Sequence, residues 1–153
     1  MLVISDTSPL TALMQIGLER LLPSLFERVI IPPAVRAELL AAHATIPEWL
    51  EVQTPSAVPF AVRSARLDLG EMESLALALE LRPELVLMDE QMGRRTAREL
   101  GLRVTGILGV LLIAKERGFI TEIKPVIADL RKRAGCWFAE PLVAGVLSEA
   151  GEI

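Results

Sequence analysis

Hydrophobic positions along this chain follow two rhythms, short unbroken runs and longer stretches spaced at three and four. Leu2-Val3-Ile4, Val29-Ile30-Ile31 and Leu85-Val86-Leu87-Met88 are runs rich in branched side chains, the pattern of strands buried on both faces. Shorter strands are predicted near Glu51-Val52 and at Arg103-Val104. The intervening stretches read as helices. One runs from Leu10 to Ile16 and stops at Gly17, with Ser8 as its cap and Pro9 as its first helical residue. Leu18 to Leu25 continues as a second helical piece interrupted by Pro23, and Pro33 opens a helix to about Ala42. Pro47 to Pro59 reads as an irregular connection. The next helix starts at Leu67 to Glu71 and ends near Leu81, with Met72, Leu75, Ala76 and Leu79 at helical spacing. Met92 to Leu100, Ile107 to Arg117, Pro125 to Ala134 and Pro141 to Ala150 complete the set, the first three closed by glycines. Strands alternating with helices predict an α/β sandwich around a mostly parallel sheet.

That architecture gives meaning to the acidic residues at the strand ends. Asp6 follows the first run and Asp89 the third, and in parallel sheets the carboxyl ends of strands are where ligands bind. Each also has a plain structural reading as a helix cap. Glu38 is the only carboxylate of its helix, and Ala34, Val35, Ala41 and Ala42 lie three and four positions away, an apolar stripe on which a lone charge is costly. Glu71 and Glu73 open a helix after Gly70, where acids also suit the helix dipole. Gathered at one end of the sheet, Asp6, Glu38, Glu71 and Asp89 would carry a charge of about −4, which a divalent cation would have to offset.

Composition narrows that cation. The 153 residues hold one cysteine, Cys136, and one histidine, His43, too few nitrogen and sulfur donors for a typical zinc site. An all-oxygen site points to Mg²⁺ or Mn²⁺, and such ions activate water for attack on phosphorus without a histidine. The lone cysteine suits a reducing cytoplasm. No apolar run approaches the roughly 18 residues of a membrane span, and the start lacks a signal-peptide pattern. The apolar content of 52% nevertheless exceeds what one soluble surface needs, which predicts a homodimer or larger assembly through helical faces such as Leu10, Leu13 and Leu18 to Leu25. The net charge of −4 excludes a uniformly basic coat, but 13 of the 16 basic residues are arginines, the better phosphate forks. Arg94 and Arg95 follow Asp89 closely; a solvated helix face and an RNA contact are equal readings of the pair. Trp49 and Trp137 are expected to be buried rather than stacked on bases.

These residues, taken together, resemble the PIN-domain nucleases, the fold of the VapC-like toxins of prokaryotic toxin–antitoxin pairs. The resemblance lies in Asp6-Thr7-Ser8, the segment Ile31 to Leu39 with Glu38, Gly70-Glu71 opening a helix that reads Leu75-Ala76-Leu77-Ala78, and Leu87-Met88-Asp89. Gly93-Arg94-Arg95, Leu100-Gly101-Leu102, Gly106-Ile107-Leu108-Gly109 and Ala114-Lys115 bring it nearest to an uncharacterised PIN-like subgroup. The chain's length predicts a single domain over residues 1–153. The resemblance covers roughly residues 1 to 135 and implies a three-layer α/β/α fold with about five short strands, with C-terminal helices from about 120 packing on the domain or an interface. It implies a Mg²⁺- or Mn²⁺-dependent ribonuclease in which Asp6, Glu38, Glu71 and Asp89 hold the metal and Ser8 supports Asp6. Arg94 and Arg95 would contact RNA, and an antitoxin protein would be the partner. The family's third acid is more often aspartate, so Glu73 competes with Glu71, and Glu90 is a possible further ligand. A non-catalytic module that binds RNA or protein stands beside the enzyme reading. A phosphatase or receiver sheet with Asp6 as nucleophile fits poorly, because Ser8 stands where the one wants a second aspartate and no lysine precedes Lys115 for the other.

Overall fold

The computed structural model describes residues 1–152; Ile153, the last residue of the expected domain, lies outside the described residues. The chain runs β1 (Leu2–Ser5), α1 (Thr7–Gln15), α2 (Leu21–Leu25), β2 (Arg28–Ile31), α3 (Pro33–Ala42), β3 (Leu50–Val52) and α4 (Phe60–Arg63). It continues as α5 (Leu69–Leu81), β4 (Leu85–Leu87), α6 (Gln91–Glu99), β5 (Val104–Thr105), α7 (Ile107–Glu116), α8 (Lys124–Arg133) and α9 (Glu140–Glu149). The strands form one five-stranded sheet in the order β3-β2-β1-β4-β5, with every pairing parallel.

Successive strand residues point to opposite faces, and both faces are covered. Val3, Val29, Ile31 and Leu87 enter one core with α1, α2, α3, α7, α8 and α9. Ile4, Ile30, Val86 and Met88 enter the other with α4, α5 and α6. The α/β/α layering follows directly, since strands apolar at every position must be buried on both sides.

The connectivity also fixes where a site can form. From β1 the chain moves outward through β2 and β3, then returns to place β4 on the other side of β1 and β5 beyond it. The helix after β1 packs on one face and the helix after β4 on the other. The β1–β4 junction is therefore the point at which strand order reverses, and such junctions open a crevice at the carboxyl ends of the strands. The Asp6 N–H donates to the Leu87 carbonyl at 2.9 Å, so Asp6 sits on that junction.

Local details depart from the sequence expectations in instructive ways. Helix α1 begins at Thr7 rather than after Ser8, so Pro9 is its third residue and Asp6 holds the cap position. Pro9 is tolerated there because the first-turn N–H groups lack helical partners anyway. Helix α5 is buried almost all round, including Gly70, Ser74, Leu77 and Ala78, while Met72 and Leu79 are only half-buried. Ala41 and Ala42 are exposed, so the stripe beneath α3 is Ala34, Val35 and Leu39, and Glu38 lies outside it on the exposed side. Trp49 is half-buried, but Trp137 is 84% exposed, against the expectation of burial.

The last three helices are tied together by one carboxylate. Glu152 accepts from the Ile123 N–H at 2.7 Å, the Lys124 N–H at 3.0 Å and Lys115 Nζ at 2.9 Å, and Lys115 Nζ also donates to the Ala150 carbonyl. The ends of α7 and α9 and the start of α8 thus share one polar knot.

Candidate active site

Asp6 is 5% exposed and its side chain is not held as a helix cap would be. Burial, only partly offset by the Thr7 N–H, pushes its carboxyl up to about 7, and the charges of Asp68, Glu71 and Glu38 push the same way. A plain cap would have the opposite character, because N–H donors stabilise the ionised form.

The neighbours that crowd Asp6 come from α3 and α5, and their meeting point is Gly70. A methyl group on Gly70 would stand 2.6 Å from Glu38 Oε1 and 3.2 Å from Asp6 Oδ1. Both carboxylates therefore occupy the space that a side chain at position 70 would fill. Gly70 has no left-handed backbone, so its use here is room rather than conformation. Glu38, although exposed as a residue, reaches the same spot as the buried Asp6.

Glu71 is 4% exposed and locked in a capping box: its side chain accepts from the Asp68 N–H at 3.0 Å while its own N–H donates to Asp68 Oδ1 at 2.8 Å. Burial raises its carboxyl pKa, the Asp68 N–H opposes that, and the charges of Asp68, Glu90 and Glu38 add to the rise. Its other oxygen, Oε2, lies over Gly93 of α6, 3.1 Å from where a Cβ would be. Glu73 faces elsewhere, with Oε1 accepting from the Ala34 N–H at 2.9 Å and serving the first turn of α3. Glu90 is exposed at the start of α6, and its charge reaches Glu71.

Asp89 is held differently. Its Oδ1 accepts from the Ile107 N–H at 2.9 Å, at the start of α7, and lies over Gly106 beside Arg94 Nη1. Burial raises its carboxyl pKa, while the Ile107 N–H and the Arg94 guanidinium pull it down. The structure thus gathers Asp6, Glu38 and Glu71 with Asp68, and sets Asp89 against a helix terminus and an arginine. Arg94 is half-buried, with a shielded Nε that has no hydrogen-bond partner. Arg95 instead points to solvent and pairs with Glu99 at 3.2 Å. Ser8 is exposed in the first turn of α1.

Among the described residues, no three acidic, histidine or cysteine side chains close around one point as a complete metal shell. The donor chemistry still fits Mg²⁺ or Mn²⁺, which bind through one or two carboxylates and keep several waters. Asp6 and Glu38 supply two such oxygens across one gap, under like-charge pressure that a cation would relieve.

Asp68 escaped the sequence reading because Asp-x-x-Glu before an apolar run looks like a helix start, which it also is. Gly93 leaves room for Met88 Sδ as well as Glu71 Oε2, and Gly106 for Asp89 Oδ1, roles with no sequence signal beyond the residue type.

Comparison with known proteins bears on the family and the fold. The PIN-domain family model DUF3368 matches residues 2–152. No curated protein matches the chain. Among solved structures, a PilT N-terminus domain protein from the hyperthermophilic archaeon Sulfolobus solfataricus P2 superposes with a TM-score of 0.56 at 17% identity, covering 72% of this chain and 91% of that one. At that identity the likeness speaks for the fold alone. With the family match spanning nearly the whole chain, the conclusion is direct: the chain belongs to the PIN-domain family, whose members are generally nucleases.

Proposed function

We propose that the chain is a Mg²⁺- or Mn²⁺-dependent endoribonuclease working at the β1–β4 junction. The observation that carries this is the shared gap over Gly70, into which the buried Asp6 and the more exposed Glu38 both project a carboxylate oxygen. A bound divalent cation supplies Lewis-acid activation of water and of the phosphodiester. The protein's own residues supply the rest. Asp6, fixed through its backbone to β4, and Glu38 from α3 hold the cation. Glu71, held by Asp68, adds negative charge close by and completes the site from α5. Arg94 offers a guanidinium to the phosphate backbone, at the edge marked by Asp89, with Arg95 as an outer contact.

The expected outcome is RNA cleavage in Mg²⁺ or Mn²⁺ that is lost in EDTA, with the metal raising Tm because it binds only the folded site. Gly70→Ala tests the carrying observation. The added methyl displaces Glu38 and crowds Asp6, so cleavage and metal stabilisation fall together. Gly70 lies in the first turn of α5 with a backbone that alanine also adopts, and the group displaced is the end of the Glu38 side chain, so metal-free stability should hold. Metal-independent cleavage, or a Gly70→Ala protein with unchanged metal affinity, would reject the site.

A non-catalytic RNA- or protein-binding module is the second reading, and the engagement of Asp89 with the Ile107 N–H favours it. Absence of cleavage with every divalent ion, alongside retained RNA binding, would select it. The reading as the toxin of a type II pair, neutralised by an antitoxin and acting in the cytoplasm, rests on the family resemblance. Its test is growth arrest on expression, relieved by the product of an adjacent small gene. A homodimer remains the proposal, checked by sedimentation at micromolar concentration, but not through the faces expected from the sequence, because Leu10, Leu13, Leu21, Leu22 and Leu25 are buried in the chain's own core. No described helix is long and apolar enough to cross a membrane.

A further inference from the structure

A cleft of about 770 Å³ opens beside the acidic end of the sheet. Ser8, two residues after Asp6, and Asp89 line it, so it borders the site on its Asp89 side. Arg94 and Arg98 of α6 line it, together with Cys136, Trp137 and Phe138 from the segment joining α8 to α9. Its size falls within the roughly 300–1,000 Å³ range of small-ligand sites.

Three features of this cleft have no use within the chain itself. Trp137 is 84% exposed, the most exposed of the large hydrophobic side chains. Arg94 Nε is shielded from solvent without an acceptor. Arg98 pairs with no carboxylate among the described residues, whereas Arg95, one position after Arg94, is paired with Glu99. An indole and two guanidiniums lining one cleft match a nucleotide, whose base stacks on aromatics and whose phosphate takes arginine forks. An apolar peptide would use the indole but leave Arg98 without an anionic partner and the Arg94 Nε without an acceptor. Charge complementarity thus favours the nucleic acid.

We propose that the cleft seats one nucleotide of a single-stranded RNA next to the phosphodiester presented to Asp6, with its base on Trp137 and its phosphate on Arg94 and Arg98. The proposal rests on the nuclease reading and deepens it by assigning a substrate subsite outside the carboxylates. Arg98 and Trp137 are positioning residues for that nucleotide.

The sequence provides its own reporters. There is no tyrosine, and Trp49 is the only other tryptophan, so Trp49→Phe leaves Trp137 as the sole indole. Cys136, the only cysteine, lines the same cleft. The probe is an oligouridylate of about eight nucleotides, within the usual length range for such grooves, added in EDTA so that no cleavage intervenes. The expected result is quenching of Trp137 fluorescence and slower reaction of Cys136 with a thiol reagent. Trp137→Ala, which removes an exposed side chain, should weaken binding by roughly 5- to 100-fold. Arg98→Ala should weaken it and lower the salt slope by about 0.7.

Unchanged affinity in both variants, with Cys136 equally reactive, would overturn the proposal. So would quenching by an amphipathic peptide with none by the oligonucleotide, which would assign the cleft to a protein partner. Cleavage in Mn²⁺ is scored separately. A wild-type chain that binds through Trp137 without cutting loses the nuclease and keeps the cleft. One that cuts, while Trp137→Ala and Arg98→Ala bind normally, keeps the nuclease and loses the cleft.

Discussion

Asp6 and Glu152 are both shielded carboxylates, and they meet opposite fates. Burial works against the charge of each. At Glu152 the Ile123 N–H, the Lys115 ammonium and the Lys124 N–H outweigh it and hold the carboxyl near 2. At Asp6 a single backbone N–H opposes burial, three further carboxylates press on it, and the carboxyl rises to about 7. One carboxylate is saturated with donors from its own chain, and the other is short of positive charge. The first pattern is that of a structural fastener. The second is that of a group arranged for a ligand the chain does not contain, and perturbed carboxylates in crevices are where function concentrates.

The sharpest way to break this contrast is to neutralise Asp6. Asp6→Asn keeps the side chain's size and removes a charge and a good Mg²⁺ donor. Cleavage in Mn²⁺ should fall by roughly 100-fold or more, since metal catalysis supplies several kcal/mol and about 1.4 kcal/mol is tenfold. Stability in EDTA should hold or rise, because a crowded like charge is gone. Undiminished cleavage would remove Asp6 from the chemistry, and a large fall in the EDTA Tm would make it structural.

Glu152→Gln should do the reverse. Hydrogen bonds to charged groups are worth about 1.5–3 kcal/mol, and this change weakens the bonds to Lys115, Ile123 and Lys124 together. A loss of roughly 2 kcal/mol in urea unfolding is expected, with specific activity of the folded fraction unchanged. A stability change within error would show that the knot between α7, α8 and α9 is not a fastener.

Titration separates the two groups without mutation. Asp6 has a folded pKa above its unfolded value of about 3.9, so between those values the native state holds a proton that the unfolded chain lacks. Metal-free stability should therefore fall as pH rises from about 4 through 7, by on the order of a few kcal/mol. Glu152 has a depressed folded pKa, so its contribution is complete above the unfolded value and disappears as pH falls toward 2. Denaturation in EDTA at pH 5 and pH 8 should show the first slope, and Asp6→Asn should flatten it. An identical slope in the variant would assign it to another group.

Much of this was legible in the chain because strand burial writes a strong signal. Val29-Ile30-Ile31 and Leu85-Val86-Leu87 are apolar at every position, and the two strand-end aspartates follow from the same pattern. Glu38 was reached by an argument that the structure corrects. Alanines carry little burial information, so Ala41 and Ala42 suggested a stripe that lies elsewhere, while the carboxylate meets Asp6 over Gly70. Asp89 resembled Asp6 in sequence because both follow strands. What separates them is the start of α7, which reaches Asp89 through β5, a contact between residues eighteen positions apart. The exposure of Trp137 likewise depends on how the α8–α9 connection crosses the cleft, and indoles are buried too often for sequence to suggest it.

The smallest effect expected concerns the arginine pair, which the sequence could not divide. Arg94 lines the cleft beside Asp89 and Gly106, while Arg95 and Glu99 form an exposed pair one helical turn apart. Such pairs contribute about 0.3–0.5 kcal/mol, because water and salt screen the attraction and both long side chains lose freedom. Arg95→Ala should therefore shift urea stability by less than about 0.5 kcal/mol. Its pairing with Glu99 also lowers its availability to phosphate, so oligonucleotide affinity at moderate salt should drop no more than about twofold. Arg94→Ala, which frees Asp89 from its cation and removes a shielded guanidinium, should weaken affinity far more. Binding isotherms of the two variants at two salt concentrations give the comparison. If Arg95→Ala costs as much as Arg94→Ala, RNA crosses the outer face of α6 rather than the cleft, and the division of the helix into a ligand side and a solvent side is wrong.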